Sequence, residues 1–135
     1  MRRAVIALMA IGAAYCQDIG PSGVPIWVLR GILHVETRSS IREDGIIIYV
    51  DKRRGAHGER GPFQCTRIAF EQVRDNEKQS FSLLERDPVY AEYIACKYLA
   101  WLYNRHHSWR RTVEEYNAGP GNKSPTYYNK VKGKI

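Results

Sequence analysis

Glu36 stands out for its position. Together with Leu29, Ile32 and Leu33 it falls at i, i+3, i+4 and i+7 of one helical face, and the other three are apolar. An ionised carboxylate on a core-facing surface is costly unless it is paired or opens on a cleft. Glu36 also lies near the end of the predicted helix, where the macrodipole opposes negative charge. Both effects raise its proton affinity. A carboxylic acid that stays protonated near neutral pH can protonate a leaving group. Arg38 or Arg42 could instead pair with it, which would make it a structural glutamate.

Two further stretches carry polar groups in stiff surroundings. "GERGPFQ", residues 58–64, brackets a charged pair with Gly58 and Gly61 and then runs through Pro62, Phe63 and Gln64. Glycine and proline at this density hold a loop in a fixed shape that can approach a ligand closely. "EEYNAGPG", residues 114–121, ends a helical pattern and holds Tyr116 and Asn117 beside Gly119. Tyr116 and Asn117 would serve as helix-end capping residues if they have no role in a site. His34 need not face Glu36, and His106-His107 read as an exposed helix end. The three cysteines, Cys16, Cys65 and Cys96, match no metal-ligand spacing and read as structural, so neither a metal nor a cofactor is expected.

The elements that must hold these residues are mostly helices. Residues 4–17 read as a first helix rather than a short secretory signal, and the apolar stretch is too short to span a membrane. A Gly/Pro turn over residues 18–25 leads into the helix that bears Glu36, with Pro25 in its first turn and its end near residues 38–40. Ile46 to Val50 is a β-rich run between Gly45 and Gly55 and predicts a short hairpin. Helices follow over residues 65–74 and 80–86. Asp87-Pro88 then caps and starts the strongest helix, which its apolar surface marks as the central buried one. Ser108 caps a helix that Gly119 ends, and Ser124-Pro125 starts the last one. The 135 residues form one domain, mainly α with a small β element, and the 44% hydrophobic fraction suffices for one core. The net charge of +7 suits a polyanionic partner, although a merely solvated basic face has the same composition.

Taken in order, "HVETRSS", "GERGPFQCTRIAF" and "EEYNAGPG" resemble the lysozyme-like domain of soluble lytic transglycosylases. That family has a helix-ending Glu usually followed by Ser, then a Gly-Leu-Met-Gln type loop, then an Ala-Tyr-Asn-Ala-Gly segment. Here Thr37 replaces the Ser and keeps a hydroxyl, and Pro62-Phe63 replaces the Leu-Met pair. The longer stretch between Glu36 and Gln64, with its β run, is similar to phage-type relatives and to goose-type lysozymes.

The resemblance implies an α+β lysozyme-like fold, a helical bundle around a central helix with a small hairpin insertion. It implies cleavage of the MurNAc–GlcNAc β-1,4 bond of peptidoglycan by Glu36 alone as acid and base, leaving 1,6-anhydro ends. Gln64, Phe63, Tyr116, Asn117 and Thr37 would then bind substrate, with the Tyr116 hydroxyl orienting Glu36. Asp44, Asp51 and Glu59 are the carboxylates that could assist, although pairing of Glu59 with a neighbouring arginine competes with that role. The expected partner is the glycan strand rather than nucleic acid, with no membrane insertion. The protein would act in the bacterial cell wall or periplasm, secreted or virion-delivered, as a monomer or within a wall-penetrating assembly. Two other readings stay open: a hydrolytic muramidase on the same fold, and a non-catalytic basic module that binds wall polymer or nucleic acid.

Overall fold

The structure is a computed structural model that describes residues 23–49 and 54–133. The expected first helix, Cys16 and Asp51 lie outside the described residues. Among those described, six helices and one two-stranded sheet follow in the order α1 (Ile26–Thr37), β1 (Ser40–Ile41), β2 (Ile47–Ile48), α2 (Arg67–Val73), α3 (Leu83–Arg86), α4 (Pro88–Tyr103), α5 (Trp109–Ala118) and α6 (Pro125–Lys132). The protein is thus mainly α with a small antiparallel sheet, in keeping with the lysozyme-like reading.

The helix starts follow local chemistry. The Asp87 carboxylate accepts from the Val89 and Tyr90 amides, and Pro88 opens α4, as the sequence predicts. Ser108 accepts from the Arg111 amide at the start of α5, and Thr66 accepts from the Ala69 amide at the start of α2. Pro25 stands one position outside α1 rather than within it. Helix α1 ends where Arg38 turns left-handed at φ 58°. The sheet is shorter than the run of isoleucines suggests: Ser40 pairs with Ile48 and Ile41 with Ile47 around a turn at Gly45. Ile46 and Ile48 face outward and are exposed, so this run follows β propensity without a core to cover it.

The core lies around α4, whose Ile94, Ala95, Cys96, Leu99 and Leu102 have no exposed surface. Helices α2, α3 and α5 pack on α4, and α6 packs on both α5 and α1. The α1–α6 contact is close because Gly31 has no side chain: a Cβ there would lie 2.6 Å from the Val131 carbonyl oxygen. Residues 36 and 127, 91 positions apart in the chain, thereby come within reach of each other.

Candidate active site

Glu36 occupies the last turn of α1, on the side facing α6. Its Oε2 accepts a 2.6 Å hydrogen bond from the Tyr127 hydroxyl. Burial raises the Glu36 pKa above the ordinary carboxylate value, the Tyr127 bond acts in the opposite direction, and the nearby charge of Glu59 raises it again. Tyr127 is itself buried, and burial beside Glu36 pushes its pKa well above the usual tyrosine value. Its hydroxyl therefore keeps its proton and donates to the ionised carboxylate. Neither arginine weighed as a partner takes that role: Arg42 pairs with Asp44 at 2.9 Å, and no cation among the described residues bridges to Glu36.

The Gly58–Gln64 loop is closed on itself. Arg60 and Cys65 exchange backbone hydrogen bonds of 2.9 Å each, and the Gln64 amide donates to the Gly61 carbonyl at 3.0 Å. Gln64 adopts φ 48°, a left-handed conformation rare for a residue with a side chain, and its Nε2 also donates to the Gly61 carbonyl. Gly61 is required because a Cβ there would collide with the Leu84 carbonyl, and its φ is +82°. Two side chains then tie this loop to the helices. The Thr37 hydroxyl donates to the Pro62 carbonyl at 2.8 Å, and the Tyr116 hydroxyl donates to the Phe63 carbonyl at 2.6 Å.

Those two bonds, with the burial of Thr37 and Phe63, correct three expectations about side chains. Tyr116 does not bond Glu36. Its hydroxyl is held by the loop, and Tyr127 provides the bond to the carboxylate instead. Thr37 is 1% exposed and Phe63 is 0% exposed, so neither side chain presents a surface to a ligand. Thr37 is a tie between helix end and loop, with Ser39 Oγ 2.8 Å from its hydroxyl, and Phe63 is a core residue. Asn117 is exposed, and its Nδ2 donates to Ser124 Oγ at 2.9 Å.

Glu59 lies close enough for its charge to act on Glu36, and Gln64 stands beside Glu59. Both side chains stand over Gly55, where a Cβ would collide with Glu59 Oε1 and Gln64 Oε1 together. Glu59 accepts from the His57 amide at 2.9 Å and has the His57 ring 3.9 Å away, and it pairs with no arginine among the described residues. Asp44 is different: it caps the exposed hairpin turn through Arg42 and the Ile46 amide. Asp51 is outside the described residues. His106 is also corrected, because its ring is only 6% exposed and lies 2.7 Å from Glu115 Oε1, while His107 is exposed. Burial pushes the Cys65 and Cys96 thiols up to about 12, and both cysteines are free. No group of residues among those described could hold a metal ion.

Tyr127 was missed by sequence reasoning. Its signal is faint: Tyr127 and Val131, four apart, share the buried face of α6, while the adjacent Tyr128 is half-buried.

The arrangement can supply one proton and take one back. Glu36 is protonated more readily than a free carboxylate, is oriented by a neutral hydroxyl, and sits beside a rigid loop that carries an amide side chain. The family model described as "Transglycosylase SLT domain" matches residues 52–134. That span includes the Gly58–Gln64 loop, Tyr116 and Tyr127 but not Glu36. No curated protein and no solved structure matches the chain.

Proposed function

The chain belongs to the transglycosylase SLT domain family, whose chemistry is lytic-transglycosylase-type cleavage of peptidoglycan in the cell wall or periplasm, and from that premise we propose that Glu36 is its single acid and base. The observation that carries the assignment is the buried Tyr127–Glu36 hydrogen bond on a carboxylate of raised pKa. No helix among the described residues is long and apolar enough to cross a membrane.

In the first step the Glu36 carboxyl gives its proton to the oxygen linking MurNAc to GlcNAc. The C1–O bond breaks and C1 acquires oxocarbenium character. The Tyr127 bond stabilises the carboxylate as it forms. In the second step that carboxylate takes the proton of the MurNAc C6 hydroxyl, and the freed oxygen closes on C1. The products are a GlcNAc-terminated strand and a 1,6-anhydro-MurNAc end. No water is consumed, and Glu36 is again protonated. Gln64 provides an amide for the acetamido or hydroxyl groups of the sugars, on a loop that Thr37 and Tyr116 hold still. The net charge of +7 draws the enzyme to the anionic wall in a salt-dependent way.

Glu59 supports a second reading. A carboxylate close enough to raise the proton affinity of Glu36 could position a water, which would make the enzyme a hydrolytic muramidase with reducing ends. The two readings separate on purified peptidoglycan digested with the wild type, Glu36→Gln and Glu59→Gln. The proposal expects solubilisation without new reducing sugar, lost in Glu36→Gln and kept in Glu59→Gln. New reducing ends that disappear in Glu59→Gln would establish the muramidase.

A further inference from the structure

Two adjacent carboxylates on α5, Glu114 and Glu115, are 6% and 2% exposed, and neither takes part in the chemistry above. Buried carboxylates persist only where their oxygens are matched by donors. Here two of the donors are backbone amides of the α5–α6 connection, and the other two are the Arg110 and His106 side chains. Glu114 accepts from the Ser124 amide at 3.0 Å and from Arg110 Nε at 3.1 Å. Glu115 accepts from the Gly121 amide at 2.7 Å, and its other oxygen is 2.7 Å from His106 Nε2. The His106 Nδ1 accepts from the Ser108 amide, so the Nε2 carries the proton and donates to Glu115. Ser124 is held a second time, through its Oγ, by Asn117.

Ser124 is the N-cap of α6 but makes no side-chain cap bond to it. The start of α6 is therefore set from outside, by α5. Tyr127 lies three residues beyond Ser124, in the first turn, and its hydroxyl must meet Glu36 Oε2 at 2.6 Å. A hydrogen bond of that length is lost with a displacement of about 1 Å.

We propose that Glu114 and Glu115 are positioning residues of the active site: by clamping Ser124 and Gly121 they fix the start of α6 and hold the Tyr127 hydroxyl on Glu36. The proposal rests on Glu36 being the acid and base. It gives the two acidic residues that open "EEYNAG" a role at a distance from the substrate. It also gives Asn117 the same role.

The test reads Glu36 directly. Its carboxyl carbon is titrated by NMR in protein labelled at glutamate, and the signal is assigned by its absence in Glu36→Gln. Groups facing Glu36 that bear on the result are Tyr127, Glu59 and Tyr116. Tyr127→Phe is expected to move the titration upward, because the bond it removes favours the carboxylate. Glu114→Ala and Glu115→Ala should move it the same way. Loss of a negative charge by itself would move it down, so the direction separates positioning from simple electrostatics. Glu114→Ala combined with Tyr127→Phe should add nothing to Tyr127→Phe alone. Glu114→Gln keeps an acceptor for the Ser124 amide and should show no upward shift, only the small downward one that comes with the lost charge. Asn117→Ala is exposed, should fold, and should give a smaller upward shift.

Folded Glu114→Ala and Glu115→Ala proteins that titrate like the wild type would overturn the clamp. So would shifts that add fully to that of Tyr127→Phe. If those two variants fail to fold, a wild-type titration in Asn117→Ala overturns it. The titration needs no substrate: intact coupling without wall cleavage would defeat the proposed function and leave the clamp supported.

Discussion

Replacing Tyr127 by Phe removes one oxygen atom from a buried side chain and nothing from its packing. The bond lost is 2.6 Å long and ends on a carboxylate. Hydrogen bonds to charged groups contribute about 1.5–3 kcal/mol. Glu36 is half-ionised in the first transition state, so roughly half of that, about 1 kcal/mol, is realised there. The barrier rises by the same amount, a loss of about fivefold to tenfold in kcat. KM should be unchanged, because the hydroxyl touches Glu36 and not the sugar. The direction of the pH effect follows from the same bond. Tyr127 favours the charged form, so its removal raises the Glu36 pKa further. The alkaline limb of the activity profile, where the acid loses its proton, moves to higher pH. Clearing of purified wall fragments, followed across pH for both proteins, measures kcat and the limb together. A Tyr127→Phe enzyme with wild-type kcat and an unmoved limb would refute this reasoning.

Other consequences follow from the same geometry. Glu36 has a raised folded-state pKa, so it disfavours folding once pH exceeds the ordinary carboxylate range and the cost is complete above the folded pKa. Glu36→Gln should therefore melt higher than the wild type at neutral pH, with the difference vanishing in acid, while activity is abolished; thermal melts across pH check both. Thr37→Val strands the Pro62 carbonyl and should cost about 1–3 kcal/mol in denaturant unfolding, with reduced activity as the loop loosens. Asp44→Asn, in the exposed hairpin turn, should leave kcat unchanged. Cys65 and Cys96 should resist a thiol reagent in the native protein and react only after unfolding, since burial holds both thiols up at about 12.

The features legible in the sequence were those set within a few residues. Asp87-Pro88 and Ser108 mark helix starts because a side-chain oxygen and its amide partners lie two or three positions apart. Glu36 was legible because its helical face is otherwise apolar. The Gly58–Gln64 loop was legible as rigid, and Gly61 does sit where no side chain fits. What the sequence hid was which chain segments meet. Tyr116 lies near the end of one helical pattern and Tyr127 near the start of the next. Only the packing of α6 on α1, permitted by Gly31, decides that Tyr127 reaches the carboxylate and Tyr116 reaches the loop. Phe63 and Thr37 are expected at the site because the resemblance sets them in the family's motif positions. Their burial depends on the loop folding back over the end of α1. The expected short hairpin is present, but Ile46 and Ile48 are exposed, so strand propensity rather than burial marks it in the sequence.

The central claim is that Glu36 cleaves the glycan without water. Peptidoglycan digested in water enriched in oxygen-18 tests it most directly, with the muropeptides weighed by mass spectrometry. The account predicts 1,6-anhydro-MurNAc ends with no heavy oxygen, and no fragments from Glu36→Gln. Reducing ends carrying oxygen-18, or fragments still released by Glu36→Gln, would contradict it.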